Sequence, residues 1–230
     1  PETGIEYARN LGITTLTSED VTASAALGGL TLGVTNLELT GAYAAIANGG
    51  VYTEPKFYST VLDRDGNVIL GGETDPKQVL KEETAFLLTD AMSDSLESHQ
   101  IFARPGISIS ATSTRAHLDR MPAAGKSGTT TSNRDAWFVG FTDYYTAGIW
   151  TGYDENNREL ANTSYHKSIW KQIMDRVHEE LPVREFSVPE DMVQVSICRK
   201  SGKLAVSGLC DSDPRGNAVY AEYFESGTEP

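Results

Sequence analysis

Three strand-like runs follow one another closely in this chain: the one carrying Lys126-Ser127-Gly128-Thr129, then Ala136 to Phe141 and Thr146 to Tyr153. The turn between the last two, Thr142 to Tyr145, is so short that those runs must lie antiparallel. Soon after them, Ser168 to Leu181 carries Ile169, Trp170, Ile173, Met174 and Val177 at helical spacing. That spacing predicts an amphipathic helix with all five residues on one side. Strands grouped with flanking helices predict an α/β or α+β sandwich around a largely antiparallel sheet.

The remaining segments fit this plan. Thr3 to Leu11 reads as a helix ending at Gly12. Ala25-Ala26-Leu27-Gly28-Gly29-Leu30 has no Gly-Lys-Ser/Thr after its glycines, so it reads as a tight turn and not as a phosphate loop. Thr35 is placed to cap a helix through Ala47, with Glu38 completing a capping box, an apolar face of Leu39, Ala42, Tyr43 and Ile46, and a stop at Asn48-Gly49-Gly50. Phe57 to Leu62 and Val68 to Leu70 read as two strands joined by the turn Asp63 to Asn67. Glu82 to Leu96 is a predicted helix with Phe86, Leu87, Ala91 and Leu96 apolar. Ser98 to Met121 reads as a long, polar, irregular loop, of a length that is usually functional. Pro182 to Pro189 reads as a linker. The expected division is 1–181 for the main domain, 182–192 for the linker and 193–230 for a small Gly/Ser-rich extension with little apolar content after Val219.

Charge and cysteine usage narrow the classes of function. The chain has 32 acidic against 19 basic side chains, a formal net charge of −13. That excludes nucleic acid as a partner, since phosphate binding needs a basic surface. No apolar run approaches the roughly 20 residues that cross a bilayer. The chain opens at Pro1-Glu2, which reads as a cut from something longer, so absent targeting signals say little about the parent. Cys198 and Cys210 would pair in a disulfide if the chain is exported; the other reading is two reduced thiols. No cofactor or metal site is expected, and His99, His117, His166 and His178 read as surface or structural side chains.

The chemistry concentrates in Ala124-Gly125-Lys126-Ser127-Gly128-Thr129-Thr130. If this strand lines an acyl-transfer cleft, Lys126 supplies a positive charge for a substrate carboxylate and tunes a neighbouring hydroxyl. Ser127 and Thr129 can hydrogen-bond the same carboxylate. Gly128 lets a substrate backbone approach and pair with the strand, and Thr130 continues the rim. The amide of Thr129 would serve as an oxyanion donor, worth about 3 kcal/mol of barrier. Alone, the tetrapeptide also fits a solvated turn carrying a lysine.

The longer string, followed by Asp135-Ala136-Trp137-Phe138-Val139-Gly140, resembles the transpeptidase domain of class A penicillin-binding proteins, whose sites combine Ser-x-x-Lys, Ser-x-Asn and Lys-Thr-Gly motifs. Ser127 stands where threonine is usual in the third motif and keeps the hydroxyl. Gly33-Val34-Thr35, Ala42-Tyr43-Ala44, Ala47-Asn48-Gly49-Gly50-Val51-Tyr52, Trp150-Thr151-Gly152-Tyr153-Asp154 and Ile169-Trp170 extend the resemblance from about Ile5 to Leu181.

The resemblance implies a serine transpeptidase/β-lactamase-like fold and a membrane-anchored parent on the outer face of the bacterial cytoplasmic membrane. It implies peptidoglycan stem peptides and β-lactam antibiotics as partners. The family acylates a serine with a D-Ala-D-Ala stem peptide and passes the acyl group to an amine. The first two motifs are missing upstream. Ser164 to Lys167 and Ser168 to Lys171 match Ser-x-x-Lys but follow the third motif, the reverse of the family order. Ser108 to Ser113 replaces a glycine-rich turn. The expectation is therefore the C-terminal part of a transpeptidase domain, with an incomplete fold and no nucleophile of its own, whose partner is the missing N-terminal part. A carboxypeptidase or β-lactamase-like hydrolase, and a non-catalytic sensor of β-lactams or muropeptides, are the alternatives. In the tail, Asp211 to Gly216 with Glu222 partly fits a calcium loop, but Pro214 and Arg215 spoil it, and a turn is expected.

Overall fold

The computed structural model describes the chain except residues 99, 105, 106, 156 and 215, and gives backbone only for 100–104 and 107–109. The readings of His99 and Arg215, and of the Ser108 and Ile109 side chains on the expected rim, lie outside the described residues. The α-helices among the described residues are α1 Glu2–Asn10, α2 Asn36–Ala47, α3 Glu82–Asp94 and α4 Tyr165–Val177. The strands are β1 Val51–Tyr52, β2 Thr60–Leu62, β3 Val68–Gly71, β4 Lys77–Gln78, β5 Gln100–Arg104, β6 Ile107–Ser110, β7 Ala124–Thr129, β8 Ala136–Phe141, β9 Thr146–Thr151, β10 Met192–Cys198, β11 Lys203–Leu204 and β12 Val219–Glu225. None of the helices is long and apolar enough to cross a membrane.

The central sheet is the antiparallel meander β7-β8-β9, covered on both faces. On one side α2 lies so close to β9 that a Cβ on Gly148 would sit 2.6 Å from Asn36 Oδ1. On the other, α4 drives Trp170 edge-on against Phe138, with ring centroids 5.0 Å apart, and its indole donates to the Ala147 carbonyl at 2.9 Å. Phe138 and Trp170 are fully buried among Leu96, Leu118, Met121 and Met174. Each large apolar side chain buried this way contributes about 1.5–3 kcal/mol.

Local signals account for the helices. Thr35 Oγ1 accepts the Glu38 amide at 3.2 Å, one half of the expected capping box. The carboxylate of Glu38 accepts instead from the amide and hydroxyl of Thr14, tying the chain after α1 to the start of α2. His178 closes the far end of the sheet. Its Nδ1 donates to the Met174 carbonyl at 2.6 Å, which leaves Nε2 to accept the Thr142 hydroxyl at 2.8 Å. The same hydroxyl oxygen takes the amides of Tyr144 and Tyr145, fixing the β8–β9 turn.

Three expectations need correction. Residues 98–121 are not an irregular loop: β5 and β6 form an antiparallel hairpin, a single helical turn follows at Thr114–Ala116, and Ala116, Leu118 and Met121 are buried. The five apolar residues of α4 do not share one fate. Trp170 and Met174 are buried with His166, at four-residue spacing, whereas Ile169, Ile173 and Val177 are 41%, 49% and 47% exposed. The apolar arc is wider than the strip of sheet beneath it. Likewise α3 buries Ala85 and Thr89 and leaves Ala91 exposed.

The tail is also more ordered than its composition suggests. Val219, Tyr220, Tyr223 and Phe224 lie in β12, which pairs along all of β10 in the order β11-β10-β12. Tyr223 packs edge-on against Phe86 of α3 at 5.1 Å, and Lys81 pairs with Glu225 at 3.6 Å. Cys198 and Cys210 are free, buried thiols clustered with Ala218.

Candidate active-site strand

The strand β7 changes character along its length. Ala124 and Gly125 are buried; Lys126 is exposed, Ser127 and Gly128 are half-buried, and Thr129 and Thr130 are exposed. Gly125 is required by packing, because a Cβ there would meet Phe138 Cζ at 2.7 Å, the Val139 carbonyl at 2.8 Å and Gly140 Cα at 2.9 Å. Gly128 is under no such pressure: its nearest neighbour would be Trp137 Cβ at 3.5 Å, an ordinary contact. No described residue explains why residue 128 lacks a side chain.

One rim of β7 pairs with no other strand among the described residues. The strand pairs with β8 on one side, Lys126 opposite Val139 and Gly128 opposite Trp137, and is the outer strand of its sheet. The Thr130 amide points inward to the Asp135 carbonyl at 3.1 Å. The Gly125 carbonyl points outward and accepts the Ser95 hydroxyl at 2.7 Å. In an antiparallel strand the N–H and C=O of one residue point the same way and alternate along the chain. Ser127 and Thr129 therefore turn their backbone groups outward, and the Thr129 amide faces the side from which a ligand would come.

The side chains around this rim are cationic. Lys126 Nζ donates to the Ser127 carbonyl at 2.8 Å. Ser127 Oγ lies 3.5 Å from Thr112 Oγ1, and Lys167 of α4 donates to the Thr112 carbonyl at 2.8 Å. Burial first, then the charges of Arg115 and Lys126, lower the Lys167 pKa below the ordinary lysine range. Three cations thus converge on one strand of an acidic chain. At its far end the loop to β8 is locked by Asp135, which takes the Trp150 indole at 3.0 Å and whose amide donates to Thr130 Oγ1 at 2.8 Å.

The structure brings Lys126, Ser127, Gly128, Thr129 and Thr130 together on that rim. Two concavities of about 700 and 400 Å³ lie elsewhere, one beside Asp119, Ile169 and Ile173 and the other beside Leu96, His117 and Val183. The Ser-x-x-Lys matches are not dyads. Ser164 donates to Asn162 at 2.8 Å, and Lys171 is held between Asp119 and Asp175, at 2.6 Å from each. His166 lies under the sheet, 3.1 Å from the Trp137 carbonyl, and His117 is half-exposed, 3.3 Å from Glu97. In the tail, Asp211 accepts the Gly208 amide at 2.8 Å and Glu222 pairs with Val195 across the β10–β12 ladder. Sequence reading missed Arg115, and met Thr112 only within the segment Ser108 to Ser113 and Lys167 only as part of a misplaced motif.

Residues 4–175 match the family model of the penicillin-binding protein transpeptidase domain. The chain belongs to the penicillin-binding protein transpeptidase family. Residues 188–230 match a second model, the C-terminal domain of penicillin-binding protein 1A. Penicillin-binding protein 1A of Clostridium botulinum (strain Langeland) is 36% identical over 99% of this chain and 26% of its own length. Penicillin-binding protein 2D of Bacillus subtilis (strain 168) is 35% identical over 89% of this chain and 28% of its own. The chain thus spans about a quarter of the curated relatives it matches. Among solved structures, penicillin-binding protein 1A of Haemophilus influenzae shares the fold with a TM-score of 0.75 at 24% identity, over 100% of this chain and 37% of that one. PonA1 of Mycobacterium tuberculosis in complex with penicillin V gives 0.63 at 22% identity, over 79% of this chain and 51% of its own. The serine transpeptidase-like fold expected from the strand motif is the one observed.

Proposed function

We propose that this chain carries the substrate-gripping strand of a peptidoglycan DD-transpeptidase, and that the parent protein also reacts with β-lactams. The observation that carries the reading is the outward rim of β7, where Lys126, Ser127 and Thr129 surround an uncrowded Gly128. The cations bind the terminal carboxylate of a D-Ala-D-Ala peptide or the acid group of a β-lactam. The Thr129 amide stabilises the oxyanion that develops on the scissile carbonyl, and the peptide backbone lies along Gly128. The acylated serine belongs to a part of the protein outside this chain, as do the surfaces that turn the open edge into a cleft. Residues 1–181 form the transpeptidase portion, 182–192 the connection and 193–230 the extension. The parent works at the outer face of the cytoplasmic membrane.

Labelling by a fluorescent penicillin tests this. In the parent protein, Lys126→Ala slows labelling about ten- to a hundred-fold, the loss of one charge-assisted hydrogen bond, and leaves the melting temperature unchanged. The isolated chain takes no covalent label. Equal labelling rates for variant and wild type, or a labelled isolated chain, would overturn the proposal. A stem peptide supplied with an amine acceptor should yield the cross-linked product, whereas release of the free acid alone would mark a hydrolase.

A further inference from the structure

The C-terminal module holds a feature that the reading of β7 leaves unused. Its sheet closes around two sulfurs. Cys198 ends β10, Cys210 lies in the exposed turn between β11 and β12, and each is only 5% exposed. The stretch before β12 clamps them together. The Ala218 amide donates to the Cys210 carbonyl at 2.9 Å, and the Ala218 carbonyl accepts from Arg199, next to Cys198, at 2.7 Å. Cys198 is also the register partner of Val219. Cys210 is fixed from its other side: its amide donates to the Val206 carbonyl at 2.9 Å, and its sulfur accepts the Val206 amide at 3.3 Å. The two side chains pack in one buried cluster with Ala218.

We infer that Cys198 and Cys210 form a redox pair whose oxidation staples the turn 199–209 and locks β11 and β12 onto β10. The ends of the turn are already in contact, so closing it asks little of the native backbone and restricts mainly the unfolded chain. The pair is also chemically unequal. The neighbouring Cys210 thiol and hydrogen bonds from the backbone at Lys200 and Ser201 bring Cys198 down to about 7, while the Cys198 thiol pushes Cys210 up. Cys198 is therefore the attacking sulfur and Cys210 the resolving one.

The oxidant is a small disulfide such as oxidised glutathione. The Cys198 thiolate attacks one of its sulfurs, breaks the S–S bond and releases one glutathione thiolate, which takes up the proton that Cys198 lost. Cys210, giving its proton to solvent, then attacks the Cys198 sulfur. The second glutathione leaves as thiolate and is protonated in turn. Two protein thiols are oxidised, one disulfide is reduced to two thiols, and no proton is gained or lost overall. Because both cysteines are buried, the turn must open briefly for the first step.

The test incubates the whole chain, under native conditions, with oxidised glutathione at mildly alkaline pH. The expected product is a monomer lighter by two hydrogens, with no titratable thiol after denaturation and a proteolytic fragment linking Cys198 to Cys210. Its melting temperature rises by several degrees and returns on reduction. Cys198→Ser and Cys210→Ser each remove the rise. Two thiols that still titrate, a wild-type chain that stops at the mixed glutathione adduct, a disulfide-linked dimer, or a cross-link that lowers the melting temperature would each overturn the inference. None of these readouts involves penicillin, so its failure is separate from any failure at β7.

Discussion

The two glycines of β7 sit three residues apart and answer to different demands. Gly125 is glycine because the protein has no room for anything else; Phe138, Val139 and Gly140 fill the space. Gly128 is glycine although the protein leaves room around it. The inner half of the strand is built for the core. The outer half carries no such packing demand from the described residues.

Substitutions should separate the two halves in order of size. Phe138→Ala empties the centre of the packing beneath the inner half and costs about 3–5 kcal/mol, read as a large drop in the denaturation midpoint. Gly125→Ala overpacks the same place and costs about 1–3 kcal/mol; a smaller loss would show that β8 can shift away from β7.

The next effect depends on pH. His166 lies below Trp137, which faces Gly128 across the ladder, and burial above all lowers its pKa. Its Nε2 donates to the Trp137 carbonyl, so its buried Nδ1 is a bare acceptor without a partner. The imidazole is neutral in the folded chain, and its contribution is complete above the unfolded histidine value of about 6.5. It is lost as the pH falls through the lower folded value. Melting temperature measured from pH 7.5 downward should fall more steeply for the wild type than for His166→Gln; parallel curves would remove the histidine from the account. The smallest change is expected for Gly128→Ala, within about 0.5 kcal/mol in stability. In the parent protein it should still slow penicillin labelling. A Gly128→Ala variant that labels normally would erase the distinction between the halves.

Much of this was legible in the residues themselves. The cap at Thr35, the turn from Asp63 to Asn67 and the meander from Ala124 onward each carry a local signal, and each is found. What escaped needed distance. The β5–β6 hairpin was hidden because its segment was read for polarity and not for the alternation Ile107-Ser108-Ile109-Ser110. The apolar arc of α4 gave the helix but not its rotation, since only the sheet decides which four-residue row is covered. Lys167 reaches Thr112 across 55 residues of sequence, and no local pattern announces that the two will meet beside Ser127. Motif spacing singled out β7; the cations beside it come from the tertiary fold.

A strand edge that no neighbouring strand covers invites a second copy to zip onto it. Lys126, with Arg115 and Lys167 close by, makes that border repel its own duplicate, because two such edges would bring like charges face to face. That ammonium thus acts as a gatekeeper against self-assembly, and neutralising it should leave a chain that is folded yet more prone to stick to itself.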